Sequence, residues 1–150
     1  MKIGLIHLNL TTESGDPRMF FSIAQALRRL GHEVVIYTAE FDKEKCFPIL
    51  NRDLDIRVVP SRASFASVTN DTSGFIGKII DRVKRNRLGS GSARRIGAAL
   101  PDDFDVLVCQ NDQSYYCGRT YKRINPRARI AWIMNNPPFY SSSKKSFLWP

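Results

Sequence analysis

The first 38 residues restrict the fold of this chain more than any other segment. Ile3 to His7 is a compact apolar run, long enough for a strand and too short for a helix. A polar, turn-rich stretch from Asn9 to Gly15 leads into Asp16-Pro17, a helix-start pair. An Asp side chain there accepts bonds from free backbone N–H groups, and Pro has the φ of the first helical position. Phe20, Ile23, Ala24, Leu27 and Leu30 then recur at the three- and four-residue spacing of one buried helix face, and Gly31 supplies the stop. Val34 to Tyr37 is a second β-branched run. Strand, loop, helix and strand in this order form the unit from which parallel sheets are built.

The rest of the chain continues the alternation. A short helix is expected within Lys43 to Leu50, interrupted at Pro48, and a third strand over Leu54 to Val59. Residues 61–74 are rich in Ser, Thr and Asn and read as a loop. Phe75 to Leu88 reads as an amphipathic helix, with Ile76, Ile79, Ile80 and Val83 on one side. Gly89-Ser90-Gly91-Ser92 is expected to end it, with a separate short helix over Ala93 to Leu100. A fourth strand (Val106 to Cys109), a helix (Gln113 to Ile124) and a fifth strand (Arg129 to Met134) follow. The expected fold is therefore α/β, a Rossmann-like parallel sheet with helices on both faces. Ligands of such sheets bind beyond the carboxyl ends of the strands, near the reversal of strand order. That rule selects Asn9 to Arg18, Thr38 to Asp42, Gln110 to Gln113 and Asn135 to Tyr140.

Composition then narrows the function classes. One hundred and fifty residues, 43% of them hydrophobic, suffice for one domain with a real core. No run approaches the ~18 apolar residues of a membrane span, and the start of the chain moves into polar residues too soon for a signal-peptide core. The expectation is a cytoplasmic protein. Its three cysteines, Cys46, Cys109 and Cys117, are odd in number and form no C-x-x-C pair, so reduced thiols are expected. With two histidines in all, no metal site of familiar spacing can be assembled.

The net charge of +9 is unevenly spread. Residues 1–75 carry nine basic and nine acidic groups, whereas 76–97 carry Lys78, Arg82, Lys84, Arg85, Arg87, Arg94 and Arg95 against Asp81 alone. Such a cluster beside an apolar helix stripe can rest on an anionic membrane surface, gaining roughly 1 kcal/mol per basic residue. Its alternative is an ordinary solvated face. A nucleic acid would favour the charge too, but aromatic interleaving is poor and that partner is disfavoured.

Among candidate ligand groups, the first loop lacks G-x-G-x-x-G and has only Gly15 before the helix start. A helix N-terminus still favours a phosphate, and Arg18 adds a cation there. Asn111, Asn135 and Asn136 follow strands and suit sugar hydroxyls, although turn formation explains Asn equally well. His7 reads as a core histidine and His32 as a surface turn residue. Asp102, Asp103 and Asp105 precede a strand, at the end of the sheet away from the expected site.

The ordered combination Gly15-Asp16-Pro17-Arg18, Ala24, Leu27 and Gly31-His32-Glu33-Val34 resembles the first βαβ unit of retaining glycosyltransferases of the GT-B fold, family 4. Tyr37 to Asp42 with Cys46-Phe47 is similar to the branch of mannosyltransferases that builds lipid-linked oligosaccharides, and Phe104 to Val108 fits the same domain. The resemblance implies that residues 1–150 form a single GT-B half, the acceptor-side domain, with the donor-binding domain supplied in cis or in trans. It implies transfer of a hexose, mannose among the possibilities, from a nucleotide-sugar substrate to a lipid-linked or glycan acceptor, at a membrane-peripheral site and without a further cofactor or metal. Gly15 and Arg18 would then approach the donor phosphates, and Asn111, Asn135 and Asn136 the sugar or acceptor. The isolated chain is expected to be inactive, since half the cleft is missing. The alternative is a non-catalytic membrane-anchoring or binding subunit of a split glycosyltransferase. The family's paired first-loop glycines are reduced here to Gly15, and Asn135-Asn136 stand where a His-containing segment is often found.

Overall fold

A computed structural model describes residues 1–60, 75–111 and 113–134, with backbone alone at 75–83, 85 and 86. Five strands form one parallel sheet: β1 (Lys2–Ile6), β3 (Glu33–Thr38), β5 (Asp55–Val58), β6 (Val106–Gln110) and β7 (Arg129–Ile133). Their spatial order is β5-β3-β1-β6-β7, so the chain builds outward on one side of β1 and then returns to build on the other. The fold is a Rossmann-like α/β domain. Two further short strands, β2 (Asn9–Leu10) and β4 (Glu40–Phe41), pair in parallel just beyond the carboxyl ends of β1 and β3. Two residues each are too few to leave a periodic signal, and the sequence reads both as loop.

Four helices cover the sheet: α1 (Gly15–Arg29), α2 (Pro48–Asn51), α3 (Phe75–Ala99) and α4 (Tyr115–Ile124). The pleat divides the core in two, because alternate strand residues point to opposite faces. Ile3, Leu5, Val34 and Ile36 pack on one face with Phe20, Phe21 and Ala24 of α1. Ile6, Val35, Tyr37, Leu107 and Cys109 pack on the other with Ala93, Ile96, Cys117 and Tyr121 of α3 and α4. Each fully buried Leu, Ile or Phe contributes about 1.5–3 kcal/mol by leaving water.

The helix ends follow local chemistry, with two changes from expectation. Helix α1 begins at Gly15 after an extended Ser14, so Asp16 lies inside the first turn. A carboxylate there still complements the helix dipole. At the other end Gly31 adopts φ +81°, His32 N–H donates to the Leu27 carbonyl and Gly31 N–H to that of Arg28. These are the two bonds of a Schellman stop, which require a left-handed residue at that point. The helix expected within Lys43 to Leu50 shrinks to Pro48–Asn51. The Asp42 carboxylate accepts from the Glu44 and Lys45 N–H groups, an Asx turn that competes with helix formation, and Phe47 sits at φ 51°.

The larger correction concerns Gly89 to Ser92, which do not break the helix: α3 runs through them without interruption. Ser90 and Ser92 donate back to the Arg87 and Leu88 carbonyls. Close neighbours surround some of the small residues of α3, whereas Gly91 faces open space. A Cβ on Gly89 would collide with the Gln113 side chain, and one on Gly97 would lie 2.6 Å from the Cys117 carbonyl oxygen. At Gly97 helices α3 and α4 approach so closely that a side chain is excluded. The helix-propensity cost of Gly97, about 1 kcal/mol, is offset by that contact. Residues 61–74, expected as a loop, lie outside the described residues.

Candidate functional site

The strand order reverses between β1 and β6, and the crevice above their carboxyl ends is where such sheets take ligands. His7 leaves β1 there and Asn111 leaves β6. The His7 ring is buried between the two strand ends, with Phe20 of α1 at 5.2 Å between ring centres. Its Nδ1 accepts from the Asn9 N–H at 3.3 Å. Its Nε2 lies 3.1 Å from the side-chain amide nitrogen of Asn111. Burial pushes the His7 pKa down from 6.5 to about 4, against the opposing pull of the Asp16 carboxylate. At neutral pH His7 is an uncharged strut between strands.

Asn111 is held from every side. Its backbone lies at φ 75°, a left-handed conformation that Asn tolerates better than most residues. Its carbonyl accepts from the Ser114 hydroxyl at 2.7 Å and from the Trp132 indole N–H at 3.0 Å. The structure thus puts Asn111 at the strand end expected of it, but engages its side chain with His7. Asn135 and Asn136 lie outside the described residues, as does Asp112.

Next to Asn111, Gln110 is fully buried, and sequence reasoning gave it no individual role. Its amide nitrogen points at the Asp16 carbonyl in the first turn of α1, at 3.4 Å, and its amide oxygen has no hydrogen-bond partner among the described residues. A buried unpaired oxygen costs about 1–3 kcal/mol and normally has a reason to be kept. A polar residue ending a strand of otherwise apolar character was the available signal.

Gly15 and Arg18 stand at the mouth of this crevice. Gly15 is exposed as the first residue of α1, with open space where a Cβ would sit. Arg18 is exposed, and its guanidinium has no ion pair or hydrogen bond among the described residues. The helix dipole and one uncommitted guanidinium make this end of α1 receptive to an anion.

The basic cluster lies entirely on α3. Lys84, Arg87 and Arg94 are exposed, while the side chains of Lys78, Arg82 and Arg85 lie outside the described residues. Of those whose side chains are described, Arg94 and Arg95 have partners within the fold. The Arg94 guanidinium sits over the Tyr116 ring at 5.0 Å, and Arg95 donates to the Pro60 carbonyl. At the opposite, amino edge of the sheet, Asp103 pairs with the Lys2 ammonium and Asp105 accepts from the Lys2 N–H. Those carboxylates fasten the first strand to the fourth segment and stand far from the crevice.

Nucleophilic chemistry finds no support in the thiols. Cys46, Cys109 and Cys117 are free and buried. A hydrogen bond to the Cys109 sulfur, reinforced by burial, pushes the Cys117 thiol well above its ordinary range, and burial raises Cys46. Among the described residues no group of three or more His, Cys, Asp and Glu could hold a metal ion. Nor is any described helix long and apolar enough to cross a membrane.

No protein-family model matches the sequence, and no curated protein does. Among solved structures the chain is similar to the C-terminal domain, residues 83–215, of a hydrogenase from Pyrococcus furiosus. The identity is 13%, the TM-score 0.51, and the match covers 88% of this chain and 90% of that one. A second structure of the same domain, residues 78–226, matches at 14% identity and a TM-score of 0.48, covering 87% and 89%. At such identity the likeness concerns the α/β fold alone.

Proposed function

We propose that this chain is the acceptor-side half of a membrane-peripheral glycosyltransferase that moves a hexose from a nucleotide sugar to a lipid-linked or glycan acceptor. One observation carries most of the weight: the crevice at the strand reversal meets an α1 N-terminus whose Gly15 leaves its approach open and whose Arg18 is uncommitted. Departure of a nucleoside diphosphate concentrates negative charge, and catalysis of such transfers rests on fixed dipoles and cations at that charge. Gly15 and Arg18 are suited to that role. The family-like run from Gly15 to Val34 supplies the sugar-transfer part of the reading. His7 and Asn111 act here as positioning residues that fix the floor of the crevice.

Calorimetric titration with a panel of nucleotide sugars tests the reading. The wild-type chain is expected to bind at least one member, and Arg18→Gln to weaken it about tenfold at unchanged melting temperature. Absence of binding across the panel, or indifference to Arg18→Gln, would take the donor phosphates away from Gly15 and Arg18, and no transfer with a donor-binding domain added would overturn the acceptor-side reading. Transfer itself is expected only with a donor-binding domain added. A second reading, a membrane-anchoring or binding subunit of a split enzyme, draws on the exposed Lys84 and Arg87 of α3. It predicts co-sedimentation with anionic but not neutral vesicles, lost on Lys84→Glu with Arg87→Glu.

A further inference from the structure

Strand β7 stands at one edge of the sheet, and four of its five residues are exposed. Parallel strands are ordinarily covered on both faces, so an exposed apolar edge strand calls for an explanation. On the α4 side of β7 an open groove of about 660 Å³ runs along the helix. That volume falls within the range of small-molecule sites. Its floor is Ile130, Trp132 and the Tyr115 ring, 37%, 40% and 37% exposed respectively. Its wall is Arg119, Lys122 and Arg123 of α4, and among the described residues no Asp or Glu lines it.

The groove is shaped rather than accidental. Gly118 lets α4 close on the sheet, because a Cβ there would lie 2.7 Å from the Ile130 Cγ2. The Trp132 indole is pinned through its N–H to the Asn111 carbonyl, and the Tyr115 ring is tilted against it with centres 6.0 Å apart. The Lys122 ammonium is fixed by the Pro126 and Ala128 carbonyls, both at 2.7 Å. Arg119 and Arg123, four residues apart, form a pair on one helix face. A fixed aromatic surface with two guanidiniums one helical turn apart fits a ligand with a flat ring at one end and two phosphates at the other. The apolar floor is three side chains long, too short for an extended lipid chain. A second copy of this chain would bring the same cations face to face. We infer that the α4–β7 groove binds a nucleoside diphosphate, the base lying on Trp132 and the phosphates on Arg119 and Arg123. The inference does not rest on the transfer reading, since the groove flanks the sheet edge and Arg18 has no part in it.

The test follows the Trp132 indole N–H resonance of the ¹⁵N-labelled full chain, assigned by its loss in Trp132→Phe. ADP and UDP are expected to shift it, ADP more tightly because its ring is larger. Adenosine or pyrophosphate alone should bind at least about tenfold more weakly than ADP, because each lacks half the contacts. Arg119→Gln and Arg123→Gln should each weaken ADP about tenfold at this resonance. No ADP-dependent shift, pyrophosphate as tight as ADP, or indifference to both arginine variants would overturn the proposal. So would binding of anionic vesicles or a short single-stranded oligonucleotide at this resonance in the absence of ADP binding. Loss of ADP with Arg18→Gln but not Arg119→Gln would return the nucleotide to the crevice.

Discussion

The crevice above β1 and β6 and the groove beside β7 stand at the same side of one sheet, joined through Asn111, yet they treat their polar groups in opposite ways. In the crevice His7, Asn111 and Gln110 point inward and fasten the strands to each other and to α1. In the groove rings and guanidiniums face water on a helix and an edge strand whose backbone is already fixed. Interior polar residues build the scaffold here, and peripheral ones remain available to a ligand. Stability should accordingly be concentrated at the crevice and binding at the groove.

The sharpest way to break that contrast is to truncate one ring on each side. Phe20→Ala, which empties a fully buried site beside His7, should cost about 3–5 kcal/mol, whereas Trp132→Ala should cost less than about 1 kcal/mol in a urea titration. Equal losses would show that the groove is as much part of the core as the crevice.

Acid tests the crevice alone. His7 titrates near 4 when folded and at 6.5 when free, so between those values the unfolded chain takes up a proton that the native ring refuses. Stability should fall as pH drops from about 6.5 to 4, by roughly 3 kcal/mol from this group. His7→Gln should flatten that part of the profile; an unchanged slope would assign it to other groups. Next in size, Gly97→Val should destabilise by about 1–3 kcal/mol, because the Cys117 carbonyl it meets belongs to the backbone and cannot turn aside. The smallest effect sharpens the contrast from within the crevice. Gln110→Met removes a buried unpaired oxygen and should be neutral or stabilise by up to about 1 kcal/mol. A loss of nucleotide-sugar affinity in that variant would show that the oxygen is kept for a ligand.

Much of this architecture is legible in the residues themselves. The β1-α1-β3 unit follows from the periods of its apolar residues, from Pro17 at the helix start and from Gly31 at its end. The five main strands and the helix before β7 are equally readable. Gly89 to Ser92 are not, since a Gly/Ser run has the same local chemistry in a linker and in a tight helix contact. Only the presence of α4 against α3 distinguishes them. The crevice was reachable as a region, through the rule on strand ends, but its pairing of His7 with Asn111 spans 104 positions and leaves no local trace. The same holds for the groove: Arg119, Lys122 and Arg123 read as the solvated face of a short helix, and Trp132 as one apolar residue of a strand.

The sequence by itself determined the alternation of strands and helices, because hydrophobic period and turn chemistry act within a few residues and need no distant partner. It also determined where the charge sits, on α3 rather than on the first 75 residues. Tertiary structure decided which strand lies beside which, and with that the place where the order reverses. It decided that His7 stays uncharged, since desolvation depends on what surrounds a ring and not on its neighbours in sequence. And it decided that one strand of apolar residues is left open, because exposure is set by the layers that happen to cover a strand.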